Sequence, residues 1–128
     1  MSRPKILVAD DEPFIARSLS YVLERNGYDV YVARDGQEAS EMAKQIRPDL
    51  VFLDLMMPHK SGYEVCQEIR SDESLHGTRI VLLTAKGQRS DVERGLAAGA
   101  DAYLPKPFSP THIVEVVRKF VPEQSGET

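Results

Sequence analysis

Hydrophobic residues in this chain fall into two recurring patterns. Three runs, Lys5-Ile-Leu-Val-Ala9, Leu50-Val-Phe-Leu53 and Ile80-Val-Leu-Leu83, are continuously apolar rather than alternating. Continuous runs of this length suit strands buried on both faces of a parallel sheet, so they are expected at its centre. Tyr28-Asp-Val-Tyr-Val-Ala33 is more amphipathic and Ala102-Tyr-Leu104 is short, which places both at the sheet edges.

The segments between the strands carry apolar residues at helical spacing, bounded by start and stop residues. The first opens at Asp11-Glu12-Pro13, with Pro13 suited to the first turn, sets Phe14, Ile15, Leu19, Val22 and Leu23 on one side, and stops at Gly27. A second runs from about Gly36 to Gln45, before Pro48. The third and fourth each begin with a capping box, Ser61-x-x-Glu64 and Ser90-x-x-Glu93, and the fourth ends at Gly99 as a left-handed C-cap. The fifth has Ser109 as N-cap and Pro110 just inside, buries Ile113, Val116, Val117 and Phe120, and ends at Pro122. Strand and helix thus alternate five times. This predicts an α/β fold, an open five-stranded parallel sheet with right-handed crossovers and helices on both faces. Residues 1–122 are expected to form one domain, and the polar segment 123–128 a flexible tail or the start of a linker.

Composition narrows the function. With 128 residues, 41% hydrophobic and 28% charged, the chain fits one domain, and no stretch of twenty apolar residues could span a bilayer. The first residues lack the pattern of a signal peptide, so a cytoplasmic location is expected. The single cysteine, Cys66, offers neither a disulfide nor a zinc ribbon and reads as a small buried hydrophobe. A net charge of -4 without a Lys/Arg run argues against nucleic-acid binding by this chain. The histidines His59, His76 and His112 share no ligand spacing and are expected to be exposed, while Met56-Met57 reads as core filler. Neither GxGxxG nor GxxxxGK[ST] occurs, which removes the usual dinucleotide and P-loop readings.

The chemistry gathers where all strand C-termini of a parallel sheet meet, at the crevice where strand order reverses. Asp10 and Asp11 follow the first strand, Asp54 the third and Thr84 the fourth, and Lys106 stands two residues beyond the fifth. Carboxylates so placed repel one another by up to roughly 4 kcal/mol per pair at 4 Å and an effective dielectric of 20, so a cation is expected among them. Mg²⁺ suits an all-oxygen donor set with no His or Cys. With its charge neutralised, an aspartate can attack a phosphoryl group and form an acyl phosphate, with Lys106 pairing to the phosphoryl oxygens and the Thr84 hydroxyl donating to one of them.

Taken in order, these pieces resemble the receiver domains of two-component response regulators. The resemblance covers nearly the whole chain. It is carried by Asp10-Asp11 after Lys-Ile-Leu-Val-Ala, Asp49-Leu-Val-Phe-Leu-Asp54-Leu-Met-Met-Pro58 with Ser61-Gly62, Leu82-Leu-Thr84-Ala85, and Gly99-Ala-Asp-Ala-Tyr-Leu-Pro-Lys106-Pro107-Phe108. It implies the flavodoxin-like strand order 2-1-3-4-5 known for a chemotaxis member of this family, with which the edge and centre assignments agree. The resemblance also implies that Asp54 is the phosphoacceptor and Asp11 a direct Mg²⁺ ligand, with Asp10 acting through water and the Met56 backbone carbonyl completing the set. It further implies that Thr84 and Lys106 bind the phosphoryl group, that Thr84 and Tyr103 form a switch, and that the Lys106-Pro107 peptide is cis, as in many relatives. Met56 and Lys86 occupy positions that resemble those where relatives tune phosphate lifetime. The implied partners are a sensor histidine kinase or phosphotransfer protein, a downstream protein target on the face of the fourth helix, fifth strand and fifth helix, and a second copy in a phosphorylation-dependent homodimer. Two alternatives stand beside this reading. A Mg²⁺-dependent aspartyl-phosphate phosphohydrolase would carry a second aspartate two residues after the nucleophile, where this chain has Met56. An interaction module of the same fold, independent of phosphorylation, need not retain the full set of Asp10, Asp11, Asp54, Thr84 and Lys106.

Overall fold

Five parallel strands, β1 (Lys5–Ala9), β2 (Asp29–Ala33), β3 (Leu50–Asp54), β4 (Arg79–Ala85) and β5 (Ala102–Lys106), hydrogen-bond in the order β2-β1-β3-β4-β5. They are seen in a computed structural model that describes residues 3–85 and 89–121. Between them run α1 (Pro13–Arg25), α2 (Gly36–Ile46), α3 (Gly62–Ser71), α4 (Arg89–Ala97) and, last, α5 (Pro110–Phe120). The order 2-1-3-4-5 is the one the family resemblance implies, and it sets the continuous apolar runs at the centre.

Burial explains why those runs do not alternate. Successive strand residues point to opposite faces. Ile6, Val8, Leu50, Phe52, Val81 and Leu83 pack with Leu19 and Leu23 of α1 and Ile113 and Val117 of α5. Leu7, Ala9, Val51, Leu53, Ile80 and Leu82 pack on the other side with Ala39 and Ala43 of α2 and Val65, Cys66 and Ile69 of α3. Both faces are covered, so both must be apolar. Strand order reverses between β1 and β3, whose C-terminal ends carry Asp10 and Asp54. Among the described residues no helix is long and apolar enough to cross a membrane.

Helix ends follow local chemistry with one exception. The Ser61 capping box is complete: Ser61 Oγ accepts from the Glu64 amide and Glu64 Oε1 from the Ser61 amide. Ser109 caps α5, with Pro110 in its first turn. Helix α1 closes on Gly27 and α4 on Gly99 in the same way. In α4 the Ala100 amide donates to the Gly95 carbonyl and the Gly99 amide to Leu96, a Schellman motif around a residue at φ 115°. The fourth capping box is the exception. Helix α4 begins at Arg89, so Ser90 already lies within its first turn, where it cannot adopt the extended backbone of an N-cap.

Other boundaries shift. β5 extends to Lys106, which therefore belongs to the strand rather than standing beyond it, and a 3-10 turn at Glu73–Leu75 buries Leu75 between α3 and β4. Phe14, expected on the buried side of α1, is 76% exposed. Ala16, Leu19 and Leu23 define the buried stripe instead, and Phe14 lies off it, two residues ahead of Ala16. Cys66 is buried and His59, His76 and His112 are exposed, as expected. Lys86, Pro122 and the tail 123–128 lie outside the described residues.

Only glycine tolerates the backbone at Gly99, and a Cβ there would also press on the Arg70 side chain. Gly99→Ala is expected to destabilise the domain by about 1–2 kcal/mol, lowering its thermal midpoint by several degrees. Gly77→Ala, where a Cβ meets open space, should change the midpoint little in the same melt.

Candidate functional site

At the end of β1, Asp10 is held by its own backbone, whose amide donates to the Ala33 carbonyl of β2. Its Oδ1 accepts from the Glu12 amide at 2.8 Å, so the turn into α1 fixes the carboxylate. Asp10 is buried, Asp11 exposed and Asp54 half-buried. Carboxylate oxygens of all three lie within 4.8 Å of one another. The Lys106 ammonium enters from β5 and stands 3.2 Å from Asp10 Oδ2, 3.5 Å from Glu12 Oε1 and 3.8 Å from Asp54 Oδ1. Residues far apart in the chain thus share one pocket because their strands end side by side.

The loop after β3 is set from below. The Gly62 amide donates to the Leu55 carbonyl at 2.9 Å, and a Cβ at Gly62 would fall on the Asp54 carbonyl and on Leu55 Cα. The start of α3 can therefore press against the backbone of Asp54 only because that residue is glycine. Met57 is half-buried and packs on the core, but Met56 is 78% exposed. The reading of both methionines as core filler thus fails for Met56, which the turn after Asp54 directs outward.

Charge is tightly constrained here. Burial raises the Asp54 pKa to about 6, the neighbouring Asp10 and Asp11 push it the same way, and Lys106 and the Met56 amide oppose them. Burial likewise raises Asp10, against the Glu12 amide and Lys106. For Lys106 burial acts to lower the pKa, but the combined attraction of Asp54, Asp10 and Glu12 leaves it raised. One ammonium is shared by several carboxylates, and Asp10 Oδ2 has no aligned hydrogen-bond donor although it is buried. A cluster of oxygen donors whose charge one shared ammonium only partly offsets fits a hard divalent cation such as Mg²⁺.

Thr84, the penultimate residue of β4, stands one position beyond Leu83, the cross-strand partner of Asp54, and is almost fully buried. It lines a cavity with Ala85, Arg89, Val92, Glu93, Tyr103 and Pro105. Tyr103, from β5, is 47% exposed. The structure therefore brings Asp10, Asp11, Asp54 and Lys106 into one pocket and sets Thr84 and Tyr103 along its flank. The Lys106-Pro107 peptide is cis. Glu12 was not singled out in the sequence, yet it reaches Lys106; its place just before Pro13, at the mouth of α1, was the available signal.

A twisted parallel sheet of order 2-1-3-4-5 with an acidic pocket and a lysine at its reversal point defines the receiver class. Residues 6–118 match the response regulator receiver domain family, and the chain belongs to it. It is 47% identical over 116 residues to the DNA-binding response regulator MtrA of Mycolicibacterium smegmatis, covering 91% of this chain and 50% of that protein. It is 48% identical over 109 residues to the alkaline phosphatase synthesis transcriptional regulatory protein PhoP of Bacillus subtilis, covering 85% of this chain and 45% of that protein. The chain spans about half the length of these curated relatives. Among solved structures it is similar to chemotaxis protein CheY4 of Vibrio cholerae, with a TM-score of 0.88, 31% identity and 94% and 100% of the two chains covered. The receiver domain of the sensor histidine kinase PA1611 of Pseudomonas aeruginosa, which has a magnesium ion coordinated in its active site cleft, matches with a TM-score of 0.86 and 30% identity over 93% and 98% of the chains.

Because the folded-state pKa of Asp54 lies above its ordinary 3.8, the folded protein binds that proton more tightly than the unfolded chain. The associated stability is present below pH 3.8 and is lost as pH rises toward 6, so at neutral pH the ionised group costs about 3 kcal/mol. With divalent cations chelated, Asp54→Asn is expected to raise stability at pH 7.5 by about 1–3 kcal/mol and to lose that advantage below pH 4, as read from urea titrations at the two pH values.

Proposed function

We propose that Asp54 accepts a phosphoryl group from a phosphohistidine on a sensor histidine kinase or phosphotransfer protein, and that the domain, residues 1–122, thereby switches a protein-binding face. The observation that carries this reading is the convergence of Asp10, Asp11 and Asp54 around the Lys106 ammonium. An Asp54 oxygen attacks phosphorus, the new P–O bond forms as the P–N bond breaks, and the imidazole nitrogen leaves with the bonding pair and takes up a proton. Water later attacks the acyl phosphate, releasing inorganic phosphate and restoring the carboxylate.

Each residue contributes through position and charge. Asp11, Asp54 and the Met56 carbonyl would hold Mg²⁺ directly, and Asp10 through water. Bound there, the ion would neutralise the charge shared by the carboxylates and the phosphoryl oxygens. Lys106, already between Asp10 and Asp54, needs only to turn to meet a phosphoryl oxygen. The Thr84 hydroxyl would donate to another. Phosphorylation adds about -1.5 to -2 charges at the end of β3, and drawing Thr84 toward it would enlarge the cavity that Tyr103 borders. That change biases the face of α4, β5 and α5, where a downstream protein or a second phosphorylated copy would bind.

Intact-mass measurement after incubation with acetyl phosphate and Mg²⁺ tests this directly. A single phosphoryl adduct is expected, absent in Asp54→Asn and absent when the metal is chelated. Lys106→Ala is expected to retain the adduct but lose any phosphorylation-dependent partner binding. Turnover of many phosphate esters without a trapped adduct would instead indicate a phosphohydrolase.

A further inference from the structure

Helix α4 sinks little of itself into the core. Within Arg89–Ala97 only Gly95 is buried, where its backbone lies against the Leu82 side chain. Beyond its contacts with β4 it leans on α3, where three residues spaced i, i+3 and i+7 form a row along α4 and the turn that follows it. At one end Arg70 donates through Nε to the Gly99 carbonyl and through Nη2 to Asp101 Oδ2, both at 2.8 Å. In the middle the Cys66 thiol donates to the Ala98 carbonyl at 3.5 Å. At the other end Tyr63, only 7% exposed, donates its hydroxyl to the Asp91 carbonyl at 3.2 Å, with the Arg94 guanidinium 4.0 Å from its ring centre.

The two ends differ in kind. The Arg70 end is charge-assisted and coincides with the closed Schellman turn at Gly99. The Tyr63 end is a hydroxyl on the Asp91 carbonyl, with the Asp91 carboxylate also close by, and one cation–π contact, a type worth less where solvent reaches it. Tyr63 is also one peptide bond from Gly62, whose backbone rests on the Asp54 carbonyl and bonds Leu55. The chain thus runs from the Asp54 loop through Gly62 directly to the residue that touches α4.

We propose that Tyr63 and Arg94 form a latch coupling the Asp54 loop to α4, through Asp91 in its first turn and Arg94 in its last, with the contacts of Arg70 to Gly99 and Asp101 as its pivot. The trigger rests on the reading of Asp54 as phosphoacceptor. The latch itself is a property of the unmodified domain, and the two are tested separately. Tyr63 and Arg94 are positioning residues: neither need touch the phosphoryl group.

Amide hydrogen exchange of the unmodified domain decides the latch. Arg94→Gln is expected to speed exchange of the hydrogen-bonded amides of α4, residues 93–97, by about tenfold while leaving amides in α1, α2 and α5 unchanged. Tyr63→Phe, which keeps the ring and loses only the hydroxyl bond, should give a smaller effect in the same place. Adding Arg94→Gln to Tyr63→Leu should produce little further change, because the contact is already gone. Unchanged exchange in α4, equal acceleration in every helix, or strictly additive effects would overturn the latch. Addition of beryllofluoride and Mg²⁺ then tests the trigger. The wild type should show a change in α4 exchange that shrinks in Arg94→Gln at equal occupancy. Failure of beryllofluoride to bind would count against the phosphoacceptor, whereas binding with the same α4 change in both proteins would count against the latch.

Discussion

The repulsion among Asp10, Asp11 and Asp54, only partly offset by Lys106, is the constraint around which the domain is arranged. A protein selected for stability alone would not hold two part-buried carboxylates against each other when each has its pKa raised by that burial. The cost is tolerable because the rest of the sheet is uncompromised. Central strands are covered on both faces, so the strain sits at the strand ends, where backbone groups already leave the hydrogen-bonding ladder. Placing the charge there also leaves it open to solvent. The same unpaired charge that weakens the resting fold would make a bound cation favourable.

Holding such a pocket open requires rigid support from behind, and the backbone supplies it. The Glu12 amide fixes Asp10, the Ser61 box fixes the start of α3, and Gly62 lets that start approach Asp54 without a side chain between them. None of these groups carries the chemistry. Each removes freedom from a residue that does, which is how a shallow site on loop ends reaches defined geometry.

Much of this was legible in the chain, for identifiable reasons. Apolar runs without alternation report two-sided burial directly, so the central strands could be read, while their order followed from the family resemblance. Ser61, Ser109, Gly27 and Gly99 act through local backbone chemistry and needed no tertiary information. The acidic site was visible because parallel topology sends every strand end to one edge. What could not be read depends on exact rotation or on where a helix starts. Phe14 has helix-compatible spacing but misses the buried stripe, Ser90 falls inside a helix that begins one residue earlier, and Met56 follows a turn that sends it outward. Glu12 reads equally well as helix-start chemistry, and only the approach of Lys106 from β5 shows its second contact. Short turns such as Glu73–Leu75 have no periodicity to detect.

Uneven attachment of the helices links the site to the surface. α1 and α5 bury aliphatic side chains against one face of the sheet, and α2 and α3 do so against the other. α4 contributes a single buried glycine and otherwise rests on β4 and α3 through exposed or half-buried residues. On the proposed phosphorylation of Asp54, the few kcal/mol of a local charge change would suffice to move a helix held by a handful of polar contacts but not one seated in a packed core. The least buried helix lies beside Thr84 and Tyr103, so on that proposal one face would be reshaped while the four better-seated helices keep the sheet and its strand ends in place.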